Sequence, residues 1–276
     1  MKNTQQATGE DSFDLRIVRY EYIHSIRPEF FERLVNIANP KPGEVILDTG
    51  CGYGSVTREI LKRNKDKQLT CFLADSCDTQ LSRARAELAN LRFQHESEIR
   101  FFKDDLVDTN FAERTFDTIV AKMLIHEIPF EKQQGAIGNA HALLKPGGNL
   151  VIWDMALDDK TQSFVQDVIR MKDKLAGFHT LEVNRYFLRF DEIEALLTNA
   201  GLKDVRRAFT IESPVITKKR LKQEFDNCKI KLNQWHDFIR ERAIGVDPSV
   251  LRCLKFRDDG DSISFTPPKA IITAVR

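Results

Sequence analysis

The sequence predicts an α/β fold in which helices cover both faces of a doubly wound sheet of seven strands. In residues 43–63 an apolar run, a group of closely spaced glycines and a helical pattern follow one another directly. Short apolar runs and helical patterns then alternate as far as residue 211, and a last apolar run occupies residues 270–275. This alternation is typical of a sheet whose strands are joined by helices.

Composition narrows the class of protein before any motif is considered. The chain has 276 residues, of which 42% are apolar and 30% charged, and these values are ordinary for a large globular domain. Its formal net charge of +1 argues against an extensive basic surface. Nucleic acid is therefore not the expected partner, although a local basic patch remains an alternative.

The cysteines and the apolar runs indicate in which cellular compartment the protein is expected. The five cysteines are odd in number and contain no C-x-x-C pair, which indicates reduced thiols rather than disulfides or a zinc site. No apolar run reaches membrane-spanning length, and the first residues lack the apolar core of a signal peptide. We therefore expect a soluble cytoplasmic protein without a membrane partner.

The first 39 residues predict a helical cover that precedes the sheet. Apolar residues recur at about one-turn spacing from residue 13 to residue 36, and Pro28 divides the pattern into two helices. Tyr20, Tyr22 and His24 are candidate substrate contacts if the first of these helices covers the ligand site. Simple packing of the tyrosines is the alternative.

The glycine-rich stretch has the composition of a binding loop. Apolar residues 45–47 predict a strand buried on both faces, and residues 55–61 predict a helix that Ser55 caps. Between them stand an acid and three glycines at alternate positions, Asp48, Gly50, Gly52 and Gly54. Glycine tolerates positive φ and lets a ligand approach the backbone, while the helix start offers unpaired N–H groups to an anionic group.

Acidic residues follow the next two predicted strands. Asp75, with Ser76 after it, ends the strand of residues 69–74. It lies about twenty residues beyond the last glycine, where a βαβ unit presents a carboxylate to the two hydroxyls of a ribose. The alternative is that Asp75 merely caps the next helix. Two further acids, Asp104 and Asp105, follow the strand of residues 99–102.

The segments after the fourth and fifth predicted strands carry candidates for substrate chemistry. Residues 121–129 should line a ligand crevice, because they follow the carboxyl end of the strand at residues 116–120. A histidine ordinarily titrates near neutrality, so His126 is a candidate general base, with packing or orientation of the site as the alternative. Asp154 follows the fifth strand and is a candidate substrate contact.

Three motifs together resemble those of the class I S-adenosylmethionine (SAM) dependent methyltransferases. They are G-C-G-Y-G at residues 50–54 with Asp48 before it, F-D at residues 116–117, and L-K-P-G-G at residues 144–148. The resemblance covers residues 40–155. It implies a Rossmann-like sheet with the strand order 3-2-1-4-5-7-6, SAM as the cofactor and S-adenosylhomocysteine (SAH) as the product.

The resemblance also implies which residues contact the cofactor. The glycines would accommodate its methionine part, Asp75 its ribose, and Asp104 the amine of its adenine, unless the assignment shifts by one residue to Asp105. The expected cofactor-binding residues are Asp48, Gly50, Cys51, Gly52, Gly54, Asp75, Ser76, Asp104, Asp105, Leu106 and Lys122. Lys122 stands where metal-dependent relatives carry an acidic ligand, so no metal is expected.

The C-terminal part is less typical. His179 and Tyr186 lie in a connector between two predicted helices and are candidate substrate contacts, with surface packing as the alternative. Residues 217–242 predict one long helix with a continuous apolar stripe and a basic opposite side. A lid over the substrate, the interface of a homodimer and a face for nucleic acid are the three alternatives for this helix.

These patterns divide the chain into a helical cover (1–39), a SAM-binding core (40–213), a helical insertion (214–262) and the last strand of the core (263–276). The expected reaction is in-line transfer of the SAM methyl group to an oxygen, nitrogen or carbon nucleophile of a small organic molecule. An RNA or protein methyltransferase that uses the basic helix, and a SAM-binding protein without catalysis, remain alternatives. The glycine spacing disfavours an NAD oxidoreductase.

Overall fold

The computed structural model describes residues 27–89, 96–214 and 218–276 of the chain. The candidate contacts Tyr20, Tyr22 and His24 lie outside these residues. Within them a seven-stranded sheet has apolar clusters on both faces, in agreement with the predicted α/β fold.

The sheet has the predicted strand order. Its strands are β1 (Val45–Thr49), β2 (Thr70–Asp75), β3 (Glu98–Lys103), β4 (Phe116–Lys122), β5 (Leu144–Met155), β6 (Lys203–Ile211) and β9 (Lys269–Val275), arranged as β3-β2-β1-β4-β5-β9-β6. Strands β1 to β5 pair in parallel, whereas β9 runs antiparallel to both β5 and β6. Strand β9 is the predicted seventh strand, because β7 (Arg257–Asp258) and β8 (Ile263–Ser264) form a separate small sheet.

Helices connect the strands and build the region between β6 and β9. They are α1 (Pro28–Ala38), α2 (Ser55–Arg63), α3 (Asp78–Ala89), α4 (Phe130–Leu143), α5 (Gln162–Ala176), α6 (His179–Asn184), α7 (Phe190–Asn199), α8 (Lys218–Glu224), α9 (Lys229–Ile244) and α10 (Pro248–Cys253), with a 3-10 helix at Ile125–Glu127. Among the described helices, none combines the length and the apolar character that crossing a membrane requires.

Two apolar clusters lie on opposite faces of the sheet. Leu47 and Ile119 belong to the cluster that includes α4 and α7, whereas their neighbours Ile46 and Val120 belong to the cluster with α1, α2 and α3. Side chains alternate between the faces along a strand, so the inner strands are apolar on both sides, as their sequences indicate. The parallel connections place the segments that follow β1, β2, β3 and β4 at one edge of the sheet.

The prediction of a single helix over residues 217–242 is wrong. The structure has two helices there, α8 and α9. Asp226 and Asn227 separate them, with φ angles of 52° and 58° in the left-handed region, which a continuous α-helix does not contain.

The apolar stripe of that region is buried inside the chain. Trp235 and Ile239 of α9 pack with Phe164 and Val168 of α5, and Trp235 Nε1 donates a hydrogen bond to the Val168 carbonyl at 3.1 Å. Because these side chains already form a core, this stripe does not supply a dimer interface. It instead docks the insertion onto the sheet domain.

Candidate active site

A cavity opens at the edge of the sheet where β1, β2, β3 and β4 end. Nine of the residues predicted to bind the cofactor line it: Gly50, Cys51, Gly52, Asp75, Ser76, Asp104, Asp105, Leu106 and Lys122. Separate segments of the sequence converge on this space because the parallel strands all end at the same edge. The other two predicted residues, Asp48 and Gly54, do not line it.

Close approaches require glycine at two positions of the loop after β1. Gly50 has a φ of +61°, and a Cβ atom there would lie 2.7 Å from Leu124 Cδ1. Gly54 has a φ of +78°, and its Cβ would lie 3.0 Å from Leu88 Cδ1 of α3. Gly54 is also the N-cap of α2, the role predicted for Ser55, and Ser55 lines the cavity instead. Gly54 therefore serves helix packing, whereas Gly50 shapes the loop at the cavity.

Asp48 binds the first turn of α2, behind the loop. Its Oδ2 accepts hydrogen bonds from the backbone N–H of Thr57 at 3.1 Å and from Thr57 Oγ1 at 2.8 Å. Burial raises the pKa of Asp48 to about 7, although the hydrogen bonds from Thr57 act in the opposite direction. The acid of the glycine motif therefore orders the start of α2 rather than facing the cavity.

Asp75, the last residue of β2, is hydrogen-bonded to the glycine loop. Its Oδ2 accepts the Gly52 N–H at 2.8 Å, and its Oδ1 accepts the Cys77 N–H at 3.0 Å. Burial raises the pKa of Asp75, and the two N–H donors lower it. A carboxylate has about four acceptor sites, so Asp75 can bind these two donors and also the hydroxyls of a ligand in the cavity.

The acids after β3 fold their own loop. Asp104 Oδ2 accepts the Asn110 N–H at 2.9 Å, and Asp105 Oδ1 accepts the Val107 N–H at 2.9 Å. Both acids line the cavity, so either of them can accept a hydrogen bond from a ligand amine there.

Lys122 is the last residue of β4 and lines the cavity. Its Nζ is 5.7 Å from the ring centroids of both Phe31 and Trp153. These cation–π contacts bring α1, β4 and β5 together beside the cavity.

The structure adds residues that sequence reasoning did not single out as cofactor or substrate contacts. They are Thr49, Tyr53, Ser55, Gln80, Val107, Met123, Leu124, Glu127, Ile128, Pro129, Arg220 and Glu224. Most of them stand within or next to the predicted loops, so the loop positions alone could have suggested them. Arg220 and Glu224 belong to α8, and no local pattern indicates that this helix reaches the cavity.

The geometry disfavours a general-base role for His126. Its side chain is 4% exposed, does not line the cavity and stacks on Phe187 with ring centroids 5.0 Å apart. Nδ1 is hydrogen-bonded to Asp154, and Nε2 lies 3.4 Å from Glu127 Oε1. Burial by itself lowers the pKa of His126, but the two carboxylates outweigh it and raise the pKa to about 9. The imidazole is therefore protonated at neutral pH and cannot accept a substrate proton.

Asp154 does not face the cavity either. Its Oδ2 accepts the Ile125 N–H at 2.8 Å, and its Oδ1 accepts the Met155 N–H at 2.7 Å in addition to the bond with His126. These bonds attach the 3-10 helix after β4 to the end of β5. Asp154 does not line the cavity, and its hydrogen bonds hold the loop that carries Glu127.

The pH dependence of the protein's stability should show whether His126 is paired with Asp154 and Glu127. The unfolded histidine has a pKa near 6.5 and the folded one about 9, so between these pH values only the folded state holds the proton. The contribution of His126 to the free energy of unfolding therefore falls by about 1.4 kcal/mol per pH unit as pH rises through this window. We expect the stability difference between wild type and His126→Gln, measured by urea unfolding, to shrink from pH 6.5 to pH 9. A difference that does not vary with pH would contradict the pairing.

The two candidate contacts of the connector lie away from the cavity. The His179 side chain is 79% exposed, with its Nδ1 3.6 Å from Glu182. The Tyr186 hydroxyl donates to Glu192 at 3.2 Å, and its ring packs on Phe130 with centroids 4.5 Å apart. Neither residue lines the cavity, which agrees with the packing alternative.

A buried chain of ion pairs connects two cavity residues, Glu127 and Glu224. Arg185 contacts Glu127 at 2.6 Å and Asp173 at 2.6 Å. Lys172 contacts Asp173 at 2.5 Å and Glu224 at 2.7 Å, and Glu224 also accepts a bond from Arg220 at 2.6 Å. The chain runs from the loop after β4 through α5 to α8, so it ties the insertion to the wall of the cavity.

Comparison with known proteins supports a methyltransferase domain in this chain. A family model described as a methyltransferase domain matches residues 47–150, from β1 into β5. The tRNA N(3)-cytidine methyltransferase of Bos taurus is 28% identical over 227 residues, which cover 72% of this chain and 57% of that protein. The chain thus spans little more than half the length of this relative.

Solved structures share the fold. The YcgJ protein of Bacillus subtilis superposes with a TM-score of 0.73 at 15% identity, over 91% of this chain and 99% of that chain. A Haemonchus contortus phosphoethanolamine N-methyltransferase, in complex with phosphomonomethylethanolamine and SAH, superposes with a TM-score of 0.62 at 16% identity. The superposition covers 98% of this chain and 60% of that chain. The family model identifies a methyltransferase domain in residues 47–150, and the sheet order and the relatives support a class I SAM-dependent methyltransferase with SAM as the cofactor.

Proposed function

We propose that the chain transfers the methyl group of SAM to an oxygen, nitrogen or carbon nucleophile of a small organic molecule. The observation that supports a small acceptor is the extent of the cavity. Its lining includes the glycine loop and Asp75 as well as Glu127, Arg220 and Glu224, so the insertion contributes to the wall of the cavity. Such a space between a core and a cover suits a small ligand.

The residues present fit the cofactor. The backbone at Gly50 and Gly52 can approach the methionine part, Asp75 retains acceptor sites for the ribose, and Asp104 or Asp105 can accept from the adenine amine. Bound SAM supplies an electrophilic methyl group on a sulfonium. The protein's contribution is then to align the acceptor with that group and to exclude water. His126 does not remove the acceptor's proton in this proposal.

The second candidate is methylation of RNA, which the relative from Bos taurus favours. An RNA substrate would have to bind at the exposed basic residues of the insertion, such as Lys222 and Lys229, at the outer side of the buried stripe. Binding of that kind would weaken steeply with salt, because it depends on phosphate contacts.

Methyl transfer from SAM with a labelled methyl group separates these candidates. We expect label to enter a low-molecular-weight metabolite extract and not total tRNA, and we expect no transfer by the Asp75→Ala variant. Label in tRNA that disappears with rising salt would favour the second candidate. Binding of SAH without transfer to either pool would indicate a SAM-binding protein without catalysis.

A further inference from the structure

Gln80 lines the cavity, and its side-chain carbonyl is unpaired. The oxygen Oε1 is buried, and within residues 27–89, 96–214 and 218–276 it has no hydrogen-bond partner. A buried acceptor without a partner costs free energy, because it has lost its hydrogen bonds with water. Such an atom in the wall of a cavity indicates a donor that a bound ligand supplies.

Gln80 belongs to the part of the cavity where β2 and β3 end. It lies in the first turn of α3, which begins at Asp78, shortly after Asp75 closes β2. Lys103 Nζ contacts Asp78 Oδ2 at 2.8 Å, and this ion pair joins the start of α3 to the last residue of β3. The side chain of Gln80 is therefore available to a ligand that lies between Asp75 and the acids after β3.

The amide of Gln80 can present its oxygen to such a ligand. No hydrogen bond to a described residue holds Oε1 in its place. The last torsion of a glutamine side chain is broad and roughly two-fold, so a rotation about it exchanges the positions of Oε1 and Nε2. A ligand donor can therefore turn the oxygen toward the cavity without breaking a hydrogen bond of that oxygen.

The acceptors already present favour a ribose hydroxyl as this donor. Ribose has two neighbouring hydroxyls, and each of them donates one hydrogen bond. Asp75 accepts the N–H groups of Gly52 and Cys77, which occupy two of its about four acceptor sites. The adenine amine, in contrast, has both Asp104 and Asp105 on its expected side of the cavity. A further acceptor is therefore needed more at the ribose than at the adenine.

We propose that Gln80 binds the cofactor, with its Oε1 accepting a hydrogen bond from one ribose hydroxyl of SAM while Asp75 accepts from the other. The inference rests on the proposed function only in that SAM occupies this cavity, and it holds for any methyl acceptor. Because Oε1 is paired only in the complex, Gln80 contributes to cofactor affinity and not to the stability of the free protein.

The test measures the affinities of SAH and of its 2′-deoxy, 3′-deoxy and 6-deamino analogues by calorimetry, in wild type and in Gln80→Met. Methionine has a side chain of similar length and no carbonyl. We expect SAH to bind about tenfold more weakly to the variant. For one deoxy analogue, wild type should also lose about tenfold relative to SAH, and the variant should lose much less.

A second readout separates binding from a structural role. Without ligand, Gln80→Met should unfold at the same temperature as wild type or at a higher one, because the variant buries no unpaired acceptor at this position. Gln134→Met is the matched control. Gln134 is another half-buried helical glutamine, but it does not line the cavity, and its Nε2 donates to the Leu196 carbonyl at 3.2 Å. The control should bind SAH as wild type does.

Three results would overturn the inference while leaving the proposed function intact. The first is an equal loss for each deoxy analogue in wild type and in a folded Gln80→Met protein. The second is a variant that tolerates the 6-deamino analogue instead, which would assign Oε1 to the adenine amine. The third is a lowered unfolding temperature with unchanged SAH affinity, which would show a structural role. Failure of wild type to bind SAH would overturn the proposed function together with this inference.

Discussion

Replacing Asp75 with alanine is expected to weaken SAH binding by about a hundredfold. The carboxylate lines the cavity between the glycine loop and the loop after β3, where two ribose hydroxyls would donate to it. It also accepts the Gly52 and Cys77 N–H groups, so its removal loosens the loop as well. Calorimetric titration with SAH measures the combined loss.

Asp78→Ala provides the control for this experiment. Asp78 is a nearby acid whose side chain is 71% exposed and pairs with Lys103 at 2.8 Å, outside the cavity. Its variant should bind SAH as wild type does. Asp75→Asn, which keeps one acceptor oxygen, should fall between the two. An Asp75→Ala protein that is folded and binds SAH within about twofold of wild type would remove the ribose assignment.

Replacing Arg185 with methionine should lower the free energy of unfolding by about 3–5 kcal/mol. Arg185 is 4% exposed and contacts both Glu127 and Asp173, which are buried as well. The variant leaves two carboxylates with one cation fewer, and this uncompensated charge accounts for the size of the effect. Urea unfolding with a constant m-value measures it.

Arg240→Met is the matched change at the surface. Arg240 also forms an ion pair, with Asp258 at 2.8 Å, but water screens that pair. The Arg240→Met variant should therefore lose much less free energy of unfolding than the Arg185→Met variant. Equal losses in the two variants would show that the buried chain of ion pairs has no special part in holding the insertion against the cavity.

Much of the fold follows from local sequence patterns. Apolar runs buried on both faces predict the inner strands, and the glycines and L-K-P-G-G predict where they begin and end. The strand order, in contrast, came from the family resemblance. The single long helix was wrong because the apolar spacing of residues 217–242 continues across Asp226 and Asn227, although the backbone does not.

The site residues that directly follow a strand could be predicted from the sequence. Residues after the carboxyl ends of β1 to β4 reach the cavity because of the sheet topology, which the sequence indicates. Contacts between distant segments were not predictable. Asp154 lies 28 residues from His126 and sets its charge, and α8 brings Arg220 to the cavity only through the docking of the whole insertion.

A crystal structure of the chain with SAH tests the central claim most directly. We expect the adenosine to lie between Asp75 and the acids Asp104 and Asp105, with the sulfur directed toward the part of the cavity that Glu127 and Arg220 line. SAH bound at another surface, with the glycine loop unoccupied, would contradict it.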